Sequence, residues 1–301
     1  METERLSPRY RGIDGWEPSD MFDALAEGQF AAVAAVRCAR AEIVRAALAT
    51  AARLSDGGRL AYAGAGTSGR LAVQDGAELM PTFGWPAERL VVIMAGGERA
   101  LTEAVEGAED QPAEAERRVA EAGIGPADVL IGVAASGTTA FTLACVREAG
   151  RRGAVTVGIA SNAGTPLLAA ADHPILLDTG AEPIAGSTRL KAGTAQKIAL
   201  NVLSSMVMIR LGRVHEGLMV EVQPVNAKLV ARSEDMLSLL TDRSREDVRA
   251  ALHEAGGRVK LAALLLRGCG LAEAEALLER SGGRLRAALE VLEGGTARQA
   301  P

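Results

Sequence analysis

Short apolar runs that recur between helix-length stretches constrain this chain most. Strands are expected at 59–64, 89–94, 128–134, 154–160 and 174–178. Helical stretches are expected near 69–80, 98–107, 111–122, 138–150 and 165–171. Several runs are apolar throughout, as in Leu90-Val91-Val92-Ile93-Met94. A strand covered on both faces reads this way, and parallel strands are covered on both faces. Strand–helix alternation at this spacing means right-handed βαβ crossovers. The expected fold class is α/β: a doubly wound, mostly parallel five-stranded sheet flanked by helices. Hydrophobic residues make up 48% of the 301 residues but aromatics only 3%, so the core must be built from Ala, Val, Leu and Ile.

The flanks are helical. Residues 1–18 carry Pro8, Gly12, Gly15 and Pro18 and read as an irregular arm. From Ser19 to Leu54 breakers are nearly absent, which predicts one or two long helices ended by Asp56-Gly57-Gly58. A long apolar helix is expected from about Leu190 to Gly212, its face buried against a partner subunit or against its own sheet. From about Ser233 strand signals vanish. Arg245–His253, Val259–Arg267, Leu271–Arg280 and Leu285–Leu292 read as short helices split by glycines, a small C-terminal all-helical domain. The expected domains are 1–54 (arm and packing helices), 55–232 (α/β) and 233–301 (helical).

Charge and rare residues exclude several classes. A net charge of −5 gives no general attraction to nucleic acid or to an anionic membrane. Cys38, Cys145 and Cys269 lie far apart without a CxxC pattern, which points to a reducing compartment and away from zinc. His173, His215 and His253 are scattered, and no metal site is signalled. The stretch Met1–Arg5 is polar and leads into no apolar run, and Ile198–Leu211 is interrupted by Asn201, Ser204, Ser205 and Arg210. Neither a secretory signal nor a membrane span is expected, and the protein is read as cytoplasmic.

Two Ser/Thr-Gly loops sit where a strand hands over to a helix: Gly64-Ala65-Gly66-Thr67-Ser68-Gly69-Arg70 and Ala134-Ala135-Ser136-Gly137-Thr138-Thr139. Such loops offer backbone N–H groups, hydroxyls and a helix N-terminus to one anion. Two at the strand ends of one sheet point to a phosphorylated small molecule. The first loop spells G-x-G-x-x-G, yet the second strand ends Met94-Ala95-Gly96-Gly97 with no carboxylate before Glu98. That counts against NAD, and no Walker lysine follows either loop. Ser136 also reads as a helix N-cap.

A third segment, Gly186 to Lys197, places Ser187, Lys191 and Thr194 at the head of the apolar helix. It reads as a substrate wall or as ordinary capping. Asp75, Glu78, Glu106, Glu109 and Asp110 are candidate acids. Read alone, each is a solvated surface charge. Paired, two carboxylates can take a proton from carbon and give one to a leaving oxygen.

Taken together, TERLSPRYRGID (3–14), GAGTSGR (64–70), DGAELMPTFG (75–84), AGG (95–97), AVEGAED (104–110), AASGTT (134–139), GSTRLKAGTAQK (186–197) and NAKL (226–229) resemble the N-acetylmuramic acid 6-phosphate etherases of the sugar isomerase (SIS) superfamily. The resemblance implies a cofactor-free lyase that cleaves the lactyl ether of that sugar phosphate in cell-wall sugar recycling. It implies acid–base roles for Glu78 and Glu109. It also matches the phosphate-binding hydroxyls of the superfamily to Ser136 and Thr139, with Gly137 and Thr138 between them as substrate-binding residues, and implies a sugar site lined by Gly66, Thr67 and Ser68. The family is dimeric, with sites near the subunit interface. The second loop usually reads ASGRTP in such enzymes, so Thr138 stands here in place of an arginine.

Two other readings share this fold: a non-catalytic sugar-phosphate sensor and an aldose–ketose isomerase. A sensor has no use for an acid–base pair. The segments PTFG and KAGTAQK lean toward the etherase rather than the isomerase.

Overall fold

The computed structural model describes residues 1–222 and 227–297; the expected NAKL segment therefore begins outside them, at Asn226. Two compact units emerge, one of Met1–Ala77 with Ala87–Val207, the other of Glu78–Pro86 with Met208–Pro301. The first unit runs to Val207, and the segment 78–86 groups with the C-terminal part.

The first unit opens with three single turns of 3-10 helix and two long helices, α1 (Pro18–Cys38) and α2 (Arg40–Ser55). Then come β1 (Leu60–Gly64) and α3 (Gly66–Ala77), with α4 (Leu79–Phe83) of the second unit next in sequence, then β2 (Leu90–Met94), α5 (Pro112–Glu121), β3 (Val129–Val133) and α6 (Ala140–Arg151). Next are β4 (Val155–Ala160), α7 (Pro166–Ala170), β5 (His173–Leu176) and α8 (Lys191–Arg210). All five strands run parallel in the order β2-β1-β3-β4-β5. Every residue of β1 and β3 is buried, as their uninterrupted apolar sequences require. The core beneath one face joins Ala61, Ile93, Leu130, Phe141 and Val146 and is rich in alanine. Strand order reverses direction beside β1, and the loops after β1 and β3 therefore share the C-terminal edge of the sheet.

One expected helix is absent. The stretch 98–107 forms only a 3-10 turn, Glu98–Leu101, before an open loop. Its carbonyls are used elsewhere: Arg70 Nε donates to the Ala100 oxygen at 2.9 Å and Arg70 Nη2 to the Glu103 oxygen at 2.7 Å.

The second unit contains a two-residue-per-strand hairpin, β6 (Val214–His215) with β7 (Leu218–Met219). Its helices are α9 (Ala227–Thr241), α10 (Arg245–Glu254), α11 (Val259–Leu265), α12 (Leu271–Arg280) and α13 (Leu285–Ala297). They close on their own core of Leu237, Val248, Leu264, Leu277 and Leu285. Among the described residues no helix is long and apolar enough to cross a membrane.

Candidate active site

The first loop is shaped by close approach. An ideal Cβ on Gly64 would lie 2.7 Å from the Gly69 Cα, and one on Gly69 would lie 2.3 Å from the Met94 Sδ. Only glycines let α3 start so near the strand it follows. The first N–H groups of α3, on Gly66, Thr67 and Ser68, have no acceptor one turn back. Thr67 is half-buried and Ser68 buried. Beside this loop lies a cavity of about 260 Å³ lined by Gly66, Arg70, Met94, Glu103, Glu106 and Glu109, among others. Glu109 and the first loop are thus brought together, and Glu109 is exposed to solvent there.

The second loop is a compact hydroxyl cluster. Ser136 Oγ accepts from the Thr138 N–H at 3.1 Å and lies 3.2 Å from Thr139 Oγ1. Thr139, not Ser136, is the N-cap residue of α6, and its side chain makes no cap bond. The expected Ser136 cap is corrected on this point. Ser136 instead closes a local turn onto Thr138, which leaves Thr139 at the helix end. Gly137 has φ +70°, and a Cβ there would lie 2.2 Å from Thr165 Oγ1. The hydroxyls of Ser136 and Thr139 stand together at the N-terminus of a twelve-residue helix, with the exposed Thr138 between them in sequence, a ready place for a phosphate.

The third segment is more committed. The Glu182 carboxylate takes the N–H groups of Lys191 (3.0 Å) and Ala192 (2.9 Å), so it caps α8 itself. Lys191 is buried and its Nζ donates to the Thr179 oxygen at 2.8 Å. Burial pushes this ammonium below its usual value, against the pull of Glu182. Thr194 Oγ1 donates to Gln29 Oε1 of α1 at 2.6 Å. Ser187 is half-buried and its N–H turns back onto the Ile184 oxygen.

Asp75, read from sequence as a solvated charge, is 5% exposed. Its Oδ2 accepts from the Tyr62 hydroxyl at 2.8 Å, and its Oδ1 accepts from Asn201 Nδ2 at 2.7 Å and Ser204 Oγ at 3.2 Å. These partners satisfy both carboxyl oxygens where water is excluded. Glu78 follows α3 in the chain, begins the second compact unit and is the exposed N-cap residue of α4. Among the described residues no cluster of three or more His, Cys, Asp or Glu is placed to hold a metal ion.

A parallel five-stranded sheet whose β1 and β3 loops carry hydroxyls and helix N-termini defines a SIS-type sugar-phosphate protein. Two family descriptions agree: "Glucokinase regulatory protein N-terminal SIS domain" matches residues 42–150 and "SIS domain" matches 112–206. Within that class, the chain belongs to the N-acetylmuramic acid 6-phosphate etherase family. It is 52% identical to the enzyme of that name from Deinococcus radiodurans over 95% of this chain and 94% of the relative. It is 45% identical to the one from Streptomyces avermitilis over 96% and 93%. Among solved structures, a phosphoheptose isomerase from Francisella tularensis is 20% identical, with 64% of this chain and 100% of that one covered at a TM-score of 0.49.

Proposed function

We propose that Glu78 is the principal acid–base residue of the etherase reaction, that Glu109 assists it, and that the two loops hold the sugar phosphate. The activity follows from family membership: this lyase cleaves the D-lactyl ether of N-acetylmuramic acid 6-phosphate to N-acetylglucosamine 6-phosphate and D-lactate. What supports the site reading most is the cavity shared by the first loop and Glu109.

In the reaction as we read it, ring opening exposes an aldehyde at C1 and so acidifies the proton on C2. A carboxylate removes that proton. The lactyl oxygen leaves from C3 and takes a proton as it goes, because an alkoxide is a poor leaving group. Water then adds to C3 of the unsaturated aldehyde and a proton returns to C2. Ser136, Gly137, Thr138 and Thr139 anchor the phosphate, with Gly66, Thr67 and Ser68 along the sugar. Ser187, Lys191 and Thr194 form the adjoining wall, Lys191 and Thr194 through their fixed contacts with Thr179 and Gln29. The phosphate anchors the substrate and takes no chemical part, so the loops act through positioning. The domain limits 1–54, 55–232 and 233–301 belong to the same reading.

We further infer a cytoplasmic homodimer acting in cell-wall sugar recycling, with its sites near the subunit interface. Phe22 and Phe30 of α1 are 70% and 74% exposed, with Val33 beside them, and such a face supports a partner subunit. The exposed free thiol of Cys38 supports a reducing compartment.

Product analysis in heavy-oxygen water tests the chemistry. Elimination and re-addition place the label on the C3 hydroxyl of the sugar product and leave lactate unlabelled. Label in lactate contradicts C3–O cleavage. Tight binding without products moves the reading to a sensor, and a ketose product to an isomerase.

A further inference from the structure

Thr3 is fully buried. Its anchors lie in two loops of the first unit. The Asn162 side chain, 5% exposed, uses its whole hydrogen-bonding capacity there. Asn162 Oδ1 accepts from the N–H groups of Glu2 (2.8 Å) and Thr3 (3.3 Å). Asn162 Nδ2 donates to Thr3 Oγ1 (3.1 Å) and to the Ala135 oxygen (3.0 Å). Ala135 immediately precedes Ser136 of the second loop. The Thr3 carbonyl in turn accepts from the Gly186 N–H at 3.0 Å, at the head of the third segment. Glu4 lies directly over Gly186, where an added Cβ would meet its Oε2 at 2.7 Å. Met1 Sδ approaches Thr138 Oγ1 at 4.0 Å.

We propose that Thr3 and Asn162 are positioning residues for the phosphate of the substrate, and that the N-terminal arm is a fixed wall joining the second loop to the Gly186 loop. The proposal rests on the reading that 134–139 holds the phosphate. This clasp joins the first residues of the arm to Asn162 and Gly186, and Asn162 onward to Ala135, and none of its bonds belongs to the sheet ladder. Loosening the clasp therefore shifts the loop without unfolding the sheet. An unpaired buried donor is costly unless the Asn162 amide turns to another acceptor, and the other bond of that amide goes to the Ala135 carbonyl, which the Ser161 N–H also holds at 2.9 Å. The loop's hydroxyls lose their register, so affinity falls while the acid–base residues stay in place.

The test compares wild type, Thr3→Val and Thr3→Ser. D-lactate release from N-acetylmuramic acid 6-phosphate gives kcat and KM. Inorganic phosphate, as competitive inhibitor and as a thermal stabiliser, reports phosphate grip without turnover. Thr3→Val removes the hydroxyl at nearly constant volume, and we expect KM and the phosphate inhibition constant to rise together about tenfold. The value of kcat stays within about twofold, as does the effect of Thr3→Ser, which keeps the acceptor. Unchanged KM and phosphate affinity in folded Thr3→Val overturn the proposal, as does a fall in kcat alone. If wild type releases no lactate, the proposed chemistry fails, and phosphate stabilisation still decides the clasp: weaker in Thr3→Val supports it, equal or absent overturns it.

Discussion

The Tyr62 hydroxyl donates to Asp75 Oδ2 at 2.8 Å in a pocket that hides both side chains from water. Because Asn201 and Ser204 bind the other oxygen, one carboxylate ties β1, α3 and α8 together. It does so three positions ahead of Glu78 in the chain.

Tyr62→Phe leaves a buried carboxylate oxygen without its donor and is expected to cost about 2 kcal/mol of stability at neutral pH. Burial, then the charge of Asp75 and the hydrogen bond to it, raises the Tyr62 hydroxyl well above its usual 10.0. The folded state therefore keeps a proton that the unfolded chain releases above pH 10. Wild-type stability falls as pH rises past that point, by at most about 1.4 kcal/mol per pH unit from this group. Urea unfolding from pH 8 to 10.5 should show the gap to Tyr62→Phe narrowing only above pH 10. A constant gap contradicts the assignment.

At the N-terminal ends of β1 and β3, Asp128 pairs with Arg59 at 2.7 Å. Burial alone would raise its carboxyl, but the Arg59 guanidinium together with the N–H groups of Arg59 and Gly125 holds it below its usual 3.8. This stabilisation is present above pH 4 and lost as pH falls through the depressed folded value. Asp128→Asn should be about 2 kcal/mol less stable at pH 7, and the difference should shrink in acid unfolding below pH 4.

The three cysteines should separate by reactivity. Burial pushes the Cys145 thiol up to about 12, and Cys269 is also buried and raised. Cys38 is exposed. A chromogenic disulfide at pH 8 should label one thiol in the native protein, lost in Cys38→Ser, and three after denaturation. Fast labelling of Cys145 contradicts the packing of α6.

Ser136→Ala removes an acceptor for the Thr138 N–H and the contact with Thr139. We expect KM for the sugar phosphate to rise about tenfold or more, with a smaller change in kcat. Steady-state kinetics with the sugar phosphate checks this.

The sheet was legible because several strands are apolar throughout: Leu90–Met94 and Val129–Val133 lie where the runs predict them, although Leu90–Met94 is an edge strand and Val92 is exposed rather than covered on both faces. The stretch 98–107 misled because its composition is helical, while the partner that claims its carbonyls, Arg70, lies some thirty residues away. The hairpin β6–β7 was too short to carry a period. Asp75 looked like any helix-surface acid, since its burial depends on Tyr62, Asn201 and Ser204 arriving from β1 and α8. Thr3 was equally silent: nothing local announces that Asn162 will enclose it. Local pattern carries elements, and long-range polar pairing carries much of the site.

The most direct test of the central claim is D-lactate release from N-acetylmuramic acid 6-phosphate by wild type and Glu78→Gln, measured side by side with sugar-phosphate binding. Wild type should release lactate, and Glu78→Gln should lose about a thousandfold in kcat with binding retained. Near-normal turnover in Glu78→Gln would remove Glu78 from the mechanism, and no lactate from folded wild type would contradict the lyase itself.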